Sequence, residues 1–187
     1  MNLPKAAQHR ENLVHTAMRL FRRQGYAASG LQQILAESGA PKGSLYHYFP
    51  GGKEALGEAA IDLAAGMICE MLSGLAARHT EARAFLRAYA RTMARWMEES
   101  DFRSGCPIAT TLLETAPESP AITAAGERAI EGWVDVVADV LARNGASRRD
   151  ARTRAQLVIS SMEGALIVAR VRRSTRPILD VALLADI

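Results

Sequence analysis

Cysteine is almost missing from this chain: Cys69 and Cys106 are the only two among 187 residues. That excludes a disulfide framework, and both are read as thiols rather than as a bridge. Long apolar runs are missing too. No stretch approaches the roughly 18 uninterrupted apolar residues needed to span a bilayer. The start, Met-Asn-Leu-Pro-Lys-Ala-Ala-Gln-His-Arg, lacks the apolar core of a signal peptide. The expectation is a cytoplasmic protein without a membrane partner. Metal and cofactor chemistry find no foothold in the pattern. His9, His15, His47 and His79 lie at no metal-ligand spacing, and no histidine follows Cys106 to activate it as a nucleophile. No segment alternates with period two, so strands and the glycine-rich phosphate loops that follow them are not expected. These gaps argue against an enzyme.

What the chain does have is helical material and an uneven charge. Hydrophobic residues make up 49% and charged residues 23%, as in a soluble globular protein long enough for a sizeable core. The net charge of +3 conceals a gradient. Residues 1–53 carry seven Lys/Arg against Glu11 and Glu37, a net of +5, and the remainder carries 16 basic and 18 acidic residues, a net of −2. Positive charge gathered at one end is what counterion release from DNA requires.

That end also holds the most informative run, residues 29–53. Ser29 reads as an N-cap. Leu31, Ile34 and Leu35 then share one helical face, leaving Gln32, Gln33 and Glu37 polar. Gly39 can take positive φ, so the chain turns there, and Pro41 suits the first turn of the next helix. In that helix Leu45 and Phe49 are four apart and close a small core. The opposite face carries Gly43 and His47, flanked by Ser44 and Tyr46, with Lys42 at its start. Gly43 permits close backbone approach, and Ser44 and His47 can bond base edges or phosphate. Tyr46 and Tyr48 can donate to phosphates. This is the layout of a helix-turn-helix whose second helix enters the major groove.

The same run closely resembles the N-terminal signature of the TetR family of one-component transcriptional regulators. The resemblance covers about a quarter of the chain. It implies that Lys42, Gly43, Ser44, Tyr46, His47 and Tyr48 form the DNA-facing surface, with Ser29 counted among the DNA-binding residues. It further implies a phosphate contact from Lys53 at the start of the fourth helix. Three departures stand out. Gly30 replaces a commoner hydroxyl residue, Pro41 replaces the usual Ser or Thr, and Gly51-Gly52 lengthens the connection before Lys53. Later in the chain, Gly-Cys-Pro-Ile-Ala-Thr-Thr-Leu-Leu-Glu at 105–114 resembles the LmrA/YxaF-like subgroup of that family.

The remainder reads as helices near 8–24, 53–77, 80–99, 108–115, 120–143, 148–172 and 177–185. The fold class is all-α, with about nine helices. Residues 1–52 are expected to form a three-helix DNA-binding domain and 53–187 a larger helical ligand-binding and dimerisation domain. Ser119-Pro120 reads as an N-cap and first helical position, and Ser147 with Asp150 as a capping pair. Met67, Met71, Met93, Trp96, Met97, Cys106 and Trp133 are the candidate ligand-binding residues, because thioethers and aromatic rings suit a broad apolar cavity. Leu157, Ser160, Ser161, Gly164, Ala165 and Val168 read as a close-packing dimer face, with bulk from Trp133 and Val137. The expected function is a ligand-responsive homodimeric repressor, released from a palindromic operator in double-stranded DNA by a small lipophilic molecule. An activator, a regulator needing a co-repressor, or a helical enzyme with a vestigial helix-turn-helix are the other readings. No cofactor, metal site or catalytic residue is expected.

Overall fold

The computed structural model describes residues 5–186, so that Met1–Pro4, where the leader reading began, lie outside the described residues. Nine α-helices follow one another among the described residues. They are α1 (Lys5–Gln24), α2 (Leu31–Ser38), α3 (Ser44–Tyr48), α4 (Gly52–Arg78), α5 (Ala82–Glu99), α6 (Pro107–Thr115), α7 (Pro120–Arg143), α8 (Arg148–Arg172) and α9 (Arg176–Asp180). A 3-10 helix, Val181–Asp186, closes the described chain, and no strand occurs among the described residues. The single terminal helix expected near 177–185 is thus split in two.

Local signals set several boundaries. Ser147 caps α8, accepting the Asp150 backbone N–H at 3.2 Å and donating to the Asp150 carboxylate at 2.6 Å. Ser119 precedes Pro120 and accepts the Ile122 N–H at 3.4 Å. Gly39 takes φ +66 at the end of α2, the left-handed conformation that costs glycine little.

Packing divides the chain into two compact units. The first holds residues up to Ala64 together with Pro107–Ala129. Its core gathers Leu13, Ala17, Leu20 and Phe21 of α1, Ile34 and Leu35 of α2, Leu45 of α3, Phe49, and Leu56 and Ala60 of α4. In this unit α6 lies against α1, and Arg128 of α7 reaches Glu58 at 3.6 Å and Asp62 at 3.3 Å on α4.

The second unit holds Ala65–Cys106 and Ile130 onward. Phe85, Leu86, Tyr89, Met93 and Met97 of α5 fill its core with Val134, Val137 and Leu141 of α7 and Val158, Ile159 and Met162 of α8. α9 and the 3-10 helix pack on α5 and α8. Trp133, 2% exposed, donates its indole N–H to the Ala65 carbonyl at 3.3 Å. Trp133 and Val137 therefore serve the interior of the protomer and not a dimer face, which corrects the expectation for both. Ala165, 8% exposed, is likewise buried.

α4, at 27 residues, is long and apolar enough to cross a membrane by length and composition. Its Ala60, Ile61, Ala64, Leu72, Leu75 and Ala76 are buried against protein, and its Glu58 and Asp62 meet Arg128. Part of its apolar surface is thus covered by protein, a third of its most apolar stretch being buried.

Candidate nucleic-acid interface

The expected reader is assembled from α2, the turn at Gly39 and α3. Ile34 and Leu35 are buried and Leu31 half-buried, as their spacing predicts. On the outer side Glu37 accepts from Arg19 at 2.7 Å and from Gln33 at 2.8 Å. These two donors hold its carboxyl below the usual range.

The start of α2 departs from expectation. Its N-cap is Gly30, and no side chain caps it. Ser29 is fully buried and donates its hydroxyl to the Gly25 carbonyl at 2.7 Å. The physical reason is the turn just before it: the Ser29 N–H bonds the Tyr26 carbonyl at 3.1 Å, which aims the side chain back at Gly25. Ser29 therefore neither caps α2 nor faces DNA. Pro41 also falls outside the helix. The Ser44 N–H bonds the Pro41 carbonyl at 2.9 Å, a turn that delays α3 to Ser44.

α3 is short, and its two sides are distinct. Leu45, 0% exposed, and Phe49, 3% exposed, anchor it in the core of the first unit. Lys42, Gly43, Tyr46 and His47 are exposed, Tyr46 to 63%, while Ser44 and Tyr48 are half-buried. A Cβ built at Gly43 would meet nothing within 4 Å. The His47 and Tyr48 rings meet edge to face with centroids 4.9 Å apart, which steadies the imidazole. Ser44 donates its hydroxyl to the Pro41 carbonyl at 2.7 Å.

Lys53 sits in the first turn of α4 and leans inward. Its Nζ lies 3.2 Å from the Ala27 carbonyl and 4.5 Å from the Tyr26 ring centroid. Partial burial draws its ammonium below the usual lysine range, opposed by the Glu114 carboxylate. Glu114 of α6 was not anticipated. It accepts the Tyr26 N–H at 3.2 Å and the Ala27 N–H at 2.6 Å. A Cβ at Gly25, whose φ is +90, would collide with that carboxylate, so the close approach requires glycine. The loop between α1 and α2 is thus held by a carboxylate on its N–H groups and an ammonium on its carbonyl.

In the second unit the expected ligand-binding residues differ in burial. Met93, Met97 and Trp133 are core, Met71, Trp96 and Cys106 are half-buried, and Met67 is 49% exposed. The residue sequence reasoning missed is Glu163 of α8. Its carboxylate accepts a hydrogen bond from the Cys106 thiol, and burial outweighs this and raises its pKa to about 7. The neighbouring Tyr89 phenol is fully buried, and desolvation, with Glu163 and Cys106 nearby, raises it far above its ordinary value. The available signal was an acidic residue beside the apolar series Val158, Ile159, Met162, Ala165 and Leu166. Its neighbours Tyr89 and Cys106 come from α5 and from the segment just before α6, which no local pattern reveals.

With this geometry in place, comparison with known proteins is specific. Residues 13–60 match the family described as bacterial regulatory proteins, tetR family, and residues 82–183 match the transcriptional regulator LmrA/YxaF-like C-terminal domain. The chain is 32% identical over 173 residues to the HTH-type transcriptional regulator YxaF of Bacillus subtilis, covering 92% of this chain and 91% of that one. It is 30% identical over 173 residues to LmrA of the same organism, covering 92% of each. The crystal structure of a regulatory protein TetR from Rhodobacter sphaeroides superposes with a TM-score of 0.84 at 22% identity, over 94% of this chain and 96% of that one.

Proposed function

The chain belongs to the TetR family of bacterial transcriptional regulators, and from that membership we propose a dimeric repressor that leaves a palindromic operator when a small lipophilic molecule binds. The observation that carries the reading is the two-sided α3. Leu45 and Phe49 fix it from within, while Lys42, Tyr46 and His47 stand outward without a protein hydrogen-bond partner among the described residues. Lysine supplies charge to the phosphates, and tyrosine and histidine supply donors that reach bases or backbone. Lys53 adds one ammonium at the edge of the loop, with two of its three protons left for phosphate.

The division of labour in this reading keeps base recognition within residues 1–52, with Lys53 adding a phosphate contact at the boundary, and assigns ligand response and dimerisation to 53–187, in the cytoplasm where the operator is. α8 supports the dimer. Leu157, Val168 and Val171 are 54%, 37% and 80% exposed, and Ser160 and Gly164 lie open between them. A Cβ at Gly164 meets nothing within 4 Å, leaving room for a partner helix. Two readers related by a dyad recognise two half-sites spaced by whole helical turns. Met93, Cys106 and the half-buried Met71 and Trp96 remain the proposed ligand contacts, with Tyr89 and Glu163 as polar anchors. Ligand binding favours a population whose reader spacing no longer fits DNA, and α4 and α7 run unbroken from one compact unit into the other.

A mobility-shift assay on DNA flanking the protein's own gene tests this. A shifted dimer complex that a lipophilic compound abolishes upholds the repressor reading. A shift that appears only with the compound identifies a co-repressor, and no shift at any salt concentration refutes DNA reading by α3.

A further inference from the structure

α5 carries Arg83, Arg87, Arg91 and Arg95, one to each turn. Like charges four residues apart on a helix repel. Arg95 offsets this through Glu99 at 3.7 Å. Arg87 and Arg91 are exposed, and neither has a carboxylate within ion-pair reach among the described residues. Beside them runs a groove of about 290 Å³ shared by α5, α9 and the 3-10 helix. Arg83, Arg87 and Arg91 line its rim, and Ala90, Leu179 and Leu183 give it an apolar surface. Leu179 and Leu183 are 39% and 62% exposed, so apolar surface lies beside the Arg87 and Arg91 guanidiniums.

We propose that this groove binds a single-chain anionic amphiphile, its carboxylate or phosphate held by the Arg87 and Arg91 guanidiniums and its chain laid on Leu179 and Leu183. The guanidinium fork matches a planar carboxylate through two parallel hydrogen bonds. The leucines supply the area that a simple anion would leave unused. The volume lies near the lower end of the ~300–1,000 Å³ common for small-molecule pockets, which suits one moderate chain and not a two-tailed lipid. The site is separate from the ligand contacts proposed above, none of which lines it. The two readings can therefore fail independently.

The test uses the full chain, with sodium decanoate below its micellar concentration as probe and 1-decanol as the neutral counterpart, followed by calorimetry. Decanoate binds the wild type, and Arg87→Gln with Arg91→Gln weakens it about tenfold or more, the loss expected from removing a charge-assisted pair. Leu183→Ser weakens decanoate as well, while decanol does not distinguish wild type from the arginine variant. Should the double variant lose helical signal, the single reversal Arg91→Glu carries the same expectation. Equal decanoate affinity in wild type and variants overturns the site. So does a wild type that binds neither decanoate nor decyl phosphate. Pelleting with phosphatidylglycerol vesicles without binding of monomeric decanoate also overturns it, in favour of a membrane surface. Operator binding is followed in parallel, so that a decanoate-insensitive operator complex leaves the groove standing and bears only on which ligand releases DNA.

Discussion

Glu163→Gln should remove a pH dependence of stability that the wild type carries. The folded carboxyl titrates near 7, against 4.5 for the same group in water. Between those values the folded protein holds a proton that the unfolded chain has released. Stability therefore falls as pH rises through this window, and the full penalty is present above about pH 7. Each pKa step is worth about 1.4 kcal/mol, so the difference amounts to roughly 3 kcal/mol at alkaline pH, taken as an upper order of magnitude. For a chain of this size, 1 kcal/mol moves Tm by about 2–4 °C, so the penalty corresponds to roughly 6–12 °C. Glutamine keeps the shape and both polar atoms and cannot ionise. Thermal melts of wild type and variant between pH 5 and pH 8.5 should converge at the acid end and separate at the alkaline end, with the variant more stable. Histidines and exposed carboxylates contribute equally to both proteins and cancel in the difference. Parallel melting curves across the whole range would refute the assignment of a buried, high-pKa carboxyl to Glu163.

Three further outcomes follow from features of the first unit and of α8. Tyr46→Ala and His47→Ala should abolish or strongly weaken operator binding with an unchanged melting curve, and Lys42→Ala should lower the salt slope of binding by about one, each read by fluorescence anisotropy. Glu114→Gln should destabilise the protein by about 1 kcal/mol, because glutamine keeps one acceptor oxygen, so one of the two N–H groups loses its partner and the other bond loses its charge at an exposed site, and should speed hydrogen exchange at Tyr26 and Ala27. Exchange at those two amides that matches wild type would deny Glu114 its anchoring role. Gly164→Arg should convert dimer to monomer in sedimentation at micromolar concentration, since the long side chain fills open space that a close-packed partner helix would need.

Much of the reader was legible because its signals are local. Leu45 and Phe49 lie four apart on one helix, and Gly39 is a single residue whose backbone freedom decides where α2 stops. The Ser147 cap needs only its own neighbours, Asp150 above all. Reasoning from sequence failed where a side chain answers to a distant or irregular partner. Ser29 has the chemistry of a cap, yet the turn closed by Tyr26 directs its hydroxyl to Gly25. For Lys53 the unforeseen part is that its ammonium also leans on a carbonyl and a ring supplied by the loop after α1. Glu114 lies 87 and 88 residues from the N–H groups it accepts, a separation that no periodicity spans. Trp133 and Val137 have the bulk of an interface and the burial of a core. Helical spacing identifies an apolar face without saying whether its neighbour belongs to the same chain.

The hydroxyl of Ser44 carries a consequence that is written in base sequence. Its only proton is committed to the Pro41 carbonyl, which leaves oxygen lone pairs to face the major groove. As long as that bond holds, Ser44 accepts and does not donate. Of the groups on the major-groove edge, only the amino groups of adenine and cytosine can be its partner, whereas the O6 and N7 of guanine and the O4 of thymine repel it. If Ser44 meets a base in the proposed complex, the operator position opposite it is expected to present an amino group. Replacing an adenine there by purine, which keeps N7 and the ring while losing N6, removes that contact together with one Watson–Crick bond, and the Ser44→Ala protein on the same two DNAs separates the two losses.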